Sequence, residues 1–315
     1  MIGAYHNTGA KINMDLALFD ARNSLPAPPS IVQPLTPDGF VAFDGSNNQM
    51  SWFREDSVDL QMAHAIAPDA NLVLVEARTS SGDDLLSATK FAIDKNLGDV
   101  ISMSFGEAES CRTPAYLADQ HAAFGRAVAQ GITLLAASGD NGPFQPTCDG
   151  VGLARDVSNP AADPLVTAVG GTHLMPDGSE QAWSDSHGAS GGGFSSVYSR
   201  PGYQAPFQKN NDARGVPDVA WNASWTDATM VCFHDKCGPA FGTSLGTPEW
   251  AGVVALADQA AGHRLGAINE ALYHAAKSHG AADRFHDVGP DGWDATTGLG
   301  TPNVSNLVAW IALNF

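Results

Sequence analysis

Gly242-Thr243-Ser244-Leu245-Gly246-Thr247-Pro248 runs without a break into Glu249-Trp250-Ala251-Gly252, a tight turn feeding an apolar helix. Ser244 is thereby expected at a helix N-terminus, where unpaired N–H groups and the helix dipole favour negative charge. Such charge develops on a carbonyl oxygen under nucleophilic attack, so Ser244 has the setting of a nucleophile as well as that of an ordinary N-cap. Pro248 is expected in the first turn, where a missing N–H is tolerated. A serine nucleophile needs a base. Glu55 and Asp59 stand four apart in Phe53-Arg54-Glu55-Asp56-Ser57-Val58-Asp59-Leu60, which puts both carboxylates on one helix face. A solvated acidic face has the same pattern, and Asp56, three residues before Asp59, competes on spacing alone. Near the C-terminus, Asp287 and Asp294 in Phe285-His286-Asp287-Val288-Gly289-Pro290-Asp291-Gly292-Trp293-Asp294 offer oxygen ligands for a hard cation, or form an Asp/Gly turn without metal.

The surrounding pattern alternates strands and helices. Asn71 to Glu76, Val100 to Ser104, Ile132 to Ala137 and Leu165 to Val169 read as short buried strands. Asp83 to Lys95 and Tyr116 to Gln130, the latter stopped by Gly131, read as helices between them, as do Thr243 to Ala261 and Ala267 to Lys277 further on. Helices between short apolar strands imply parallel crossovers, and sites in such sheets lie beyond the strands' carboxyl ends. Those ends are Ser104-Phe105-Gly106 and Ser138-Gly139-Asp140. Gln181 to Gly215, rich in Ser, Gly and Tyr, reads as long loops. No repeat or linker divides the chain, and residues 1–315 are expected to form a single domain.

Composition narrows the partners. With 43% hydrophobic residues in 315, the chain can bury a full core. Its 16 basic against 34 acidic residues give a net charge of −18, which repels phosphates and makes nucleic acid a poor partner. Net charge of this size suits a soluble monomer, or a protein adapted to acid, where many carboxylates are neutral. No apolar run reaches membrane-spanning length, and Met1 to His6 lacks the features of a secretory signal. The four cysteines show no metal-knuckle spacing. Cys232 and Cys237 suit a small disulfide loop, which leaves Cys111 and Cys148 as the other pair; four buried thiols are the alternative. Disulfides would imply an oxidising compartment.

Taken in order, the motifs resemble those of the sedolisins, the serine-carboxyl peptidases. The resemblance rests on the Glu55/Asp59 helix running into Ala65-Ile66-Ala67-Pro68-Asp69-Ala70, and on Ile101-Ser102-Met103-Ser104-Phe105-Gly106 and Ala137-Ser138-Gly139-Asp140. It continues through Thr167-Ala168-Val169-Gly170-Gly171-Thr172, Gly191-Gly192-Gly193-Phe194-Ser195, the Gly-Thr-Ser turn at Ser244, and Trp293 to Gly300. It implies a subtilisin-like α/β fold, with a central, mainly parallel sheet flanked by helices on both faces. It also implies hydrolysis of peptide bonds at acid pH, by endopeptidase or tripeptidyl-peptidase action. Ser244 matches the nucleophile, Glu55 the base, Asp59 the acid that orients it, and Asp140 the oxyanion-hole acid. Peptide substrate is expected along Ser104, Phe105 and Gly106, opposite Ser138 and Gly139. One Ca2+ is implied, held by the side chains of Asp287 and Asp294 and the carbonyls of Val288, Pro290 and Gly292, with Asp291 a further candidate because the loop is short.

The resemblance further implies a secreted protein made with a prosegment that this chain lacks, and a first strand that begins midway. Gly3 falls where relatives often carry an acid that extends the catalytic hydrogen-bond chain, and Phe105 replaces a frequent Trp. Two rival readings stand beside this one. A subtilisin-type enzyme would use His64, yet Met62-Ala63-His64-Ala65-Ile66 lacks the His-Gly-Thr turn. An inactive pseudopeptidase would bind peptides or proteins without cleaving them, and the intact Glu55, Asp59, Asp140 and Ser244 argue against it.

Overall fold

The computed structural model describes residues 1–7, 9–289 and 292–315. Four strands form its parallel centre: β3 (Val100–Met103), β4 (Thr133–Ala137), β5 (Thr167–Leu174) and β7 (Val219–Asn222), paired in that order. β6 (Glu180–Ala182) joins the far end of β5 antiparallel. A parallel pair, β1 (Ile2–Ala4) and β2 (Val75–Ala77), packs beside β3.

Side-chain alternation sends the strands' apolar residues to two cores. Ile101, Met103, Leu134, Ala136 and Ala168 face α3 (Gly82–Asp94) and α4 (Pro114–Ala129). Leu135, Val169 and Val219 face α5 (Thr243–Ala261), α6 (Asn269–Lys277) and α7 (Val304–Asn314). Both faces of the sheet are thus covered. A third core joins α1 (Gly9–Asn23) to α2 (Asn47–Ile66) through Ile12, Leu16, Phe19, Val58 and Met62.

Local chemistry sets the helix ends. Ser46, Ser81 and Thr113 cap α2, α3 and α4, each hydroxyl accepting from the backbone N–H three residues on, and Pro114 fills the first position of α4. Gly262 ends α5 in the left-handed conformation.

Two expectations need correction. The apolar run from Asn71 to Glu76 is not one strand. Leu72–Val73 pairs with Ile31–Val32, and the chain changes partner at Leu74 so that β2 pairs with β1. The stretch from Gln181 to Gly215 is not all loop: Gly193–Ser199 pairs antiparallel with Ala213–Val216. No apolar alternation announces that strand, because a buried carboxylate holds it: Glu109 accepts from Ser195 Oγ (2.6 Å) and from the Ser196 N–H (2.8 Å). The expected Cys232–Cys237 disulfide loop is the end of a hairpin of Thr229–Phe233 and Lys236–Ala240, and His234 and Asp235 take positive φ at its two-residue turn. The N–H groups of both turn residues reach Asp15 on α1, which anchors the hairpin to the third core. Cys111–Cys148 is the other disulfide.

Candidate active site

α5 carries Ser244 to the site, and its first turn is built around Asp140 at the end of β4. Asp140 Oδ1 accepts from the Thr243 N–H (2.9 Å) and the Thr243 hydroxyl (2.8 Å). Gly242, the N-cap, has φ +108°, and a Cβ there would lie 2.7 Å from Asp140 Oδ2. Glycine is therefore required twice, for its backbone and for its clearance. Burial is the main influence on Asp140 and raises its pKa, with the Thr243 bonds pulling down. Two donors on Oδ1 leave Oδ2 as the oxygen that carries the proton of the neutral acid.

Pro248 is not in the first turn as expected. It is inside α5, in the second turn. Its missing N–H leaves the Ser244 carbonyl without the usual helical donor four residues on. Ser104 Oγ lies 3.4 Å from that carbonyl and 2.5 Å from Asp59 Oδ1. With Asp59 ionised, the Ser104 hydroxyl donates to it. With Asp59 protonated, the bond reverses and the Ser104 proton is free for the Ser244 carbonyl. Ser104 therefore couples the protonation of Asp59 to the turn that bears the nucleophile.

α2 packs against α5 and brings Glu55 and Asp59 to the same place. The Ser244 hydroxyl donates to the Ser104 carbonyl at 3.3 Å, and it stands near enough to the Glu55 carboxyl to favour its charged form. Burial first, then the Asp59 charge, pushes Glu55 up to about 8. Burial likewise pushes Asp59 up, against the Ser104 bond. Glu55 Oε1 and Asp59 Oδ2 are both shielded from solvent and have no protein partner. Asp56, the competitor on spacing, faces elsewhere: its Oδ1 lies against Gly3, where a Cβ would be 1.9 Å away.

His64 is not placed as a base. It is wholly buried, its Nε2 is 2.8 Å from the Pro26 carbonyl and 3.4 Å from Asp20, and it stands on the α1 side of α2. Nine residues separate it from Glu55, about 13 Å along a helix.

Ser104, Phe105 and Gly106 follow the end of β3 outside any regular element, with Phe105 half-buried against Trp52 (ring centroids 6.2 Å). A cavity of about 110 Å³ opens beside them, walled by Trp52, Leu85, Phe105, Tyr116, Gln120 and Phe124. Ser138 is wholly buried, with its N–H on the Val169 carbonyl and its hydroxyl on the Gly191 carbonyl. The Gly139 N–H is taken by Thr243 Oγ1 and its carbonyl by the Gly191 N–H. These bonds tie the end of β4 to Gly191 and to the first turn of α5.

In the C-terminal loop, Asp287 accepts from the Gly289 (3.2 Å) and Gly292 (2.9 Å) N–H groups. Asp294 accepts from the N–H groups of Thr296 (2.7 Å) and Thr297 (3.0 Å) and from the Thr297 hydroxyl (2.6 Å). Both carboxylates border Gly289, since a Cβ there would lie 2.2 Å from Asp294 Oδ2. A carboxylate accepts at about four sites in all. Together with the Val288 and Gly292 carbonyls this is an all-oxygen donor set, which fits a hard cation. Pro290 and Asp291 lie outside the described residues. Among the described residues, no three His, Cys, Asp or Glu side chains gather as a metal group.

A model of the subtilase family matches residues 39–300. Kumamolisin from Bacillus sp. (strain MN-32) is 33% identical over 292 residues, covering 83% of this chain and 52% of that protein. Sedolisin from Pseudomonas sp. (strain 101) is 28% identical over 298 residues, covering 86% of this chain and 50% of that protein. The chain thus spans about half the length of the curated relatives it matches. A solved structure of Pseudomonas sedolisin, a serine-carboxyl proteinase complexed with two molecules of pseudo-iodotyrostatin, superposes with a TM-score of 0.83 at 28% identity, over 100% of this chain and 91% of that one. The architecture is accordingly the subtilisin-like α/β fold.

Proposed function

The chain belongs to the sedolisin family of the subtilases, and we propose that it is the catalytic region of a serine-carboxyl peptidase acting in acid. The observation that carries this reading is the meeting of α2 and α5, where the Ser244 hydroxyl contacts Glu55 and Ser104 ties Asp59 to the Ser244 turn.

In this mechanism Ser244 Oγ attacks the scissile carbonyl while Glu55 takes its proton. Asp59 orients Glu55. The oxyanion receives a hydrogen bond from the neutral Asp140 carboxyl, a use of a protonated acid with precedent. Glu55 returns the proton to the departing amine, leaving an acyl-enzyme on Ser244. Water then enters, loses a proton to Glu55, and releases the peptide acid. The form that reacts has Glu55 ionised and Asp140 neutral, and because Glu55 is pushed up to about 8 that form is the minor one in acid. Because burial raises the Glu55–Asp59 pair, the lower edge of the activity window lies above the value of about 4 for a free carboxyl. Its upper edge is the ionisation of Asp140.

Peptide substrates would lie along Ser104, Phe105 and Gly106 as an added strand, and the full-length precursor would carry a prosegment. One Ca2+ would be held by Asp287 and Asp294 with backbone carbonyls of the same loop; bound there, it supplies structural cross-linking of the loop and no chemistry. Two disulfides suit secretion into an oxidising compartment. Among the described residues no helix is long and apolar enough to cross a membrane.

The test is covalent trapping. The mature full-length protein is treated at acid pH with a peptidyl diphenyl phosphonate, which esterifies an activated serine with loss of phenol, and the stable adduct is located by mass spectrometry. The expected adduct is on Ser244, lost in Ser244→Ala. An unmodified Ser244 in a folded protein would refute the nucleophile assignment and favour the pseudopeptidase.

A further inference from the structure

Asp56 is a titratable group beside the site for which the mechanism has no use. It is wholly buried, and among the described residues neither carboxyl oxygen has a hydrogen-bond partner. Its Oδ1 presses on β1 so closely that position 3 has room only for glycine. Asp56 and Asp59 are three apart on α2, so their Cβ atoms are neighbours on one face at about 5–6 Å. Asp59 Oδ1 is taken by Ser104, and its Oδ2 is buried without a partner.

The charged groups around Asp56 are mostly of one sign. Glu55 and Asp59 face it from α2, and Glu76 from β2, where Glu76 is the register partner of Gly3. Glu76 accepts from the Asn7 N–H (2.7 Å) and bonds His6 Nδ1 (3.0 Å), and the partly exposed His6 leads to solvent. On the β1 side the Met1 nitrogen donates to the Val73 carbonyl (2.7 Å), and burial disfavours a charge there. Arg54 points away, to the Pro239 carbonyl. An unpartnered anion among three carboxyls is not sustainable in such a place. A carboxylic acid is, provided its proton finds an acceptor, and the orphan Asp59 Oδ2 is the acceptor on the same helix face.

We infer that Asp56 is a positioning residue that stays protonated and shares its proton with Asp59 Oδ2, thereby holding Asp59 in the anionic form that orients Glu55. Gly3 is what admits it. This rests on the Glu55–Asp59 assignment above and adds to it a third acid, which acts through Asp59 and never touches substrate.

The experiment compares rate–pH profiles of wild type, Asp56→Leu and Asp56→Asn in the full-length protein on one peptide substrate. Leucine removes the donor. The ionised form of Asp59 is then less favoured, so the acid limb should move up by about one unit, with turnover on that limb falling about tenfold. Asparagine keeps an N–H donor and should return the limb toward its wild-type position. A folded Asp56→Leu protein with a wild-type profile overturns the inference. So does an Asp56→Asn limb shifted to lower pH, which would mean that Asp56 is normally charged. If Asp56→Leu fails to fold, the asparagine profile still decides, as does infrared spectroscopy. Wild type at neutral pH should show a buried protonated-carboxyl band that Asp56→Asn lacks, and identical bands overturn the proposal. Turnover surviving in Glu55→Gln would instead fault the base assignment, and the infrared result on Asp56 would remain independent of it.

Discussion

Asp140 has one oxygen on the first turn of α5 and the other beside Gly242, which orients the acid. Its raised pKa keeps it protonated further into the neutral range than a free aspartate, and activity should fall as it ionises. Asp140→Asn keeps a donor that cannot ionise, so its alkaline limb should move to higher pH. Asp140→Ala should cost about 100- to 1000-fold in turnover, the usual scale for one oxyanion-hole donor. Rate–pH profiles of the three proteins check this, and a wild-type profile for Asp140→Ala would make Asp140 a helix cap only. At this scale the sequence reveals which residue types to examine but not their contacts. Spacing leaves Asp56 in competition with Glu55, and the motif register selects Glu55 with Asp59. Nothing in the string says that Asp56 turns toward Gly3, because that depends on how α2 lies against β1. The signal available was Gly3 itself, a glycine inside a strand, which often marks close approach of another group.

Between helices and strands, the contact of α2 with α5 sets the site, and the weakest link is the entry to α5. Gly242→Ala would place a Cβ against Asp140 in a backbone region that alanine rarely adopts. The expected result is a lower melting temperature, with a loss of turnover at least as large as that of Asp140→Asn; an unchanged melting curve and rate would contradict the account of this turn. Elements with strong apolar periodicity, such as α3, α4 and β4, can be read directly from the chain. α1 is harder, although Ile12, Leu16 and Phe19 do carry a helical stripe. The Gly193–Ser199 strand has no period to read, since the buried Glu109 holds it from another part of the chain. The Cys232–Cys237 spacing points to a loop, but its strands emerge only once Asp15 anchors the turn. Pro248 misleads by one turn because helix starts are poorly marked when the N-cap is glycine.

Over the whole molecule, buried carboxyls make stability depend on pH. Glu55 is pushed up to about 8 and Glu76 to about 7, and Asp56 is raised as well, burial being the first cause in each case. Groups whose folded pKa exceeds the unfolded one bind more protons when folded, so stability falls as pH rises. Their contribution is complete below about 4, the unfolded value, and is lost as pH rises through about 7 to 8. Melting temperature should therefore decline from pH 4 to pH 8, and Asp56→Asn should flatten that decline. Calcium binding to the native state alone should raise the melting temperature by mass action. Asp294→Asn should shrink that shift, and a melting curve indifferent to chelator and to added calcium would remove the ion from the account. The central claim is that a carboxylate, not an imidazole, activates Ser244. The most direct measurement is kcat/KM at acid pH for the mature full-length enzyme, its Glu55→Gln variant and its His64→Gln variant, each checked for folding. The account predicts that Glu55→Gln loses about 100- to 10,000-fold, the range of general base catalysis, while folded His64→Gln keeps its turnover. Wild-type turnover in Glu55→Gln, or abolition of activity in folded His64→Gln, would contradict it.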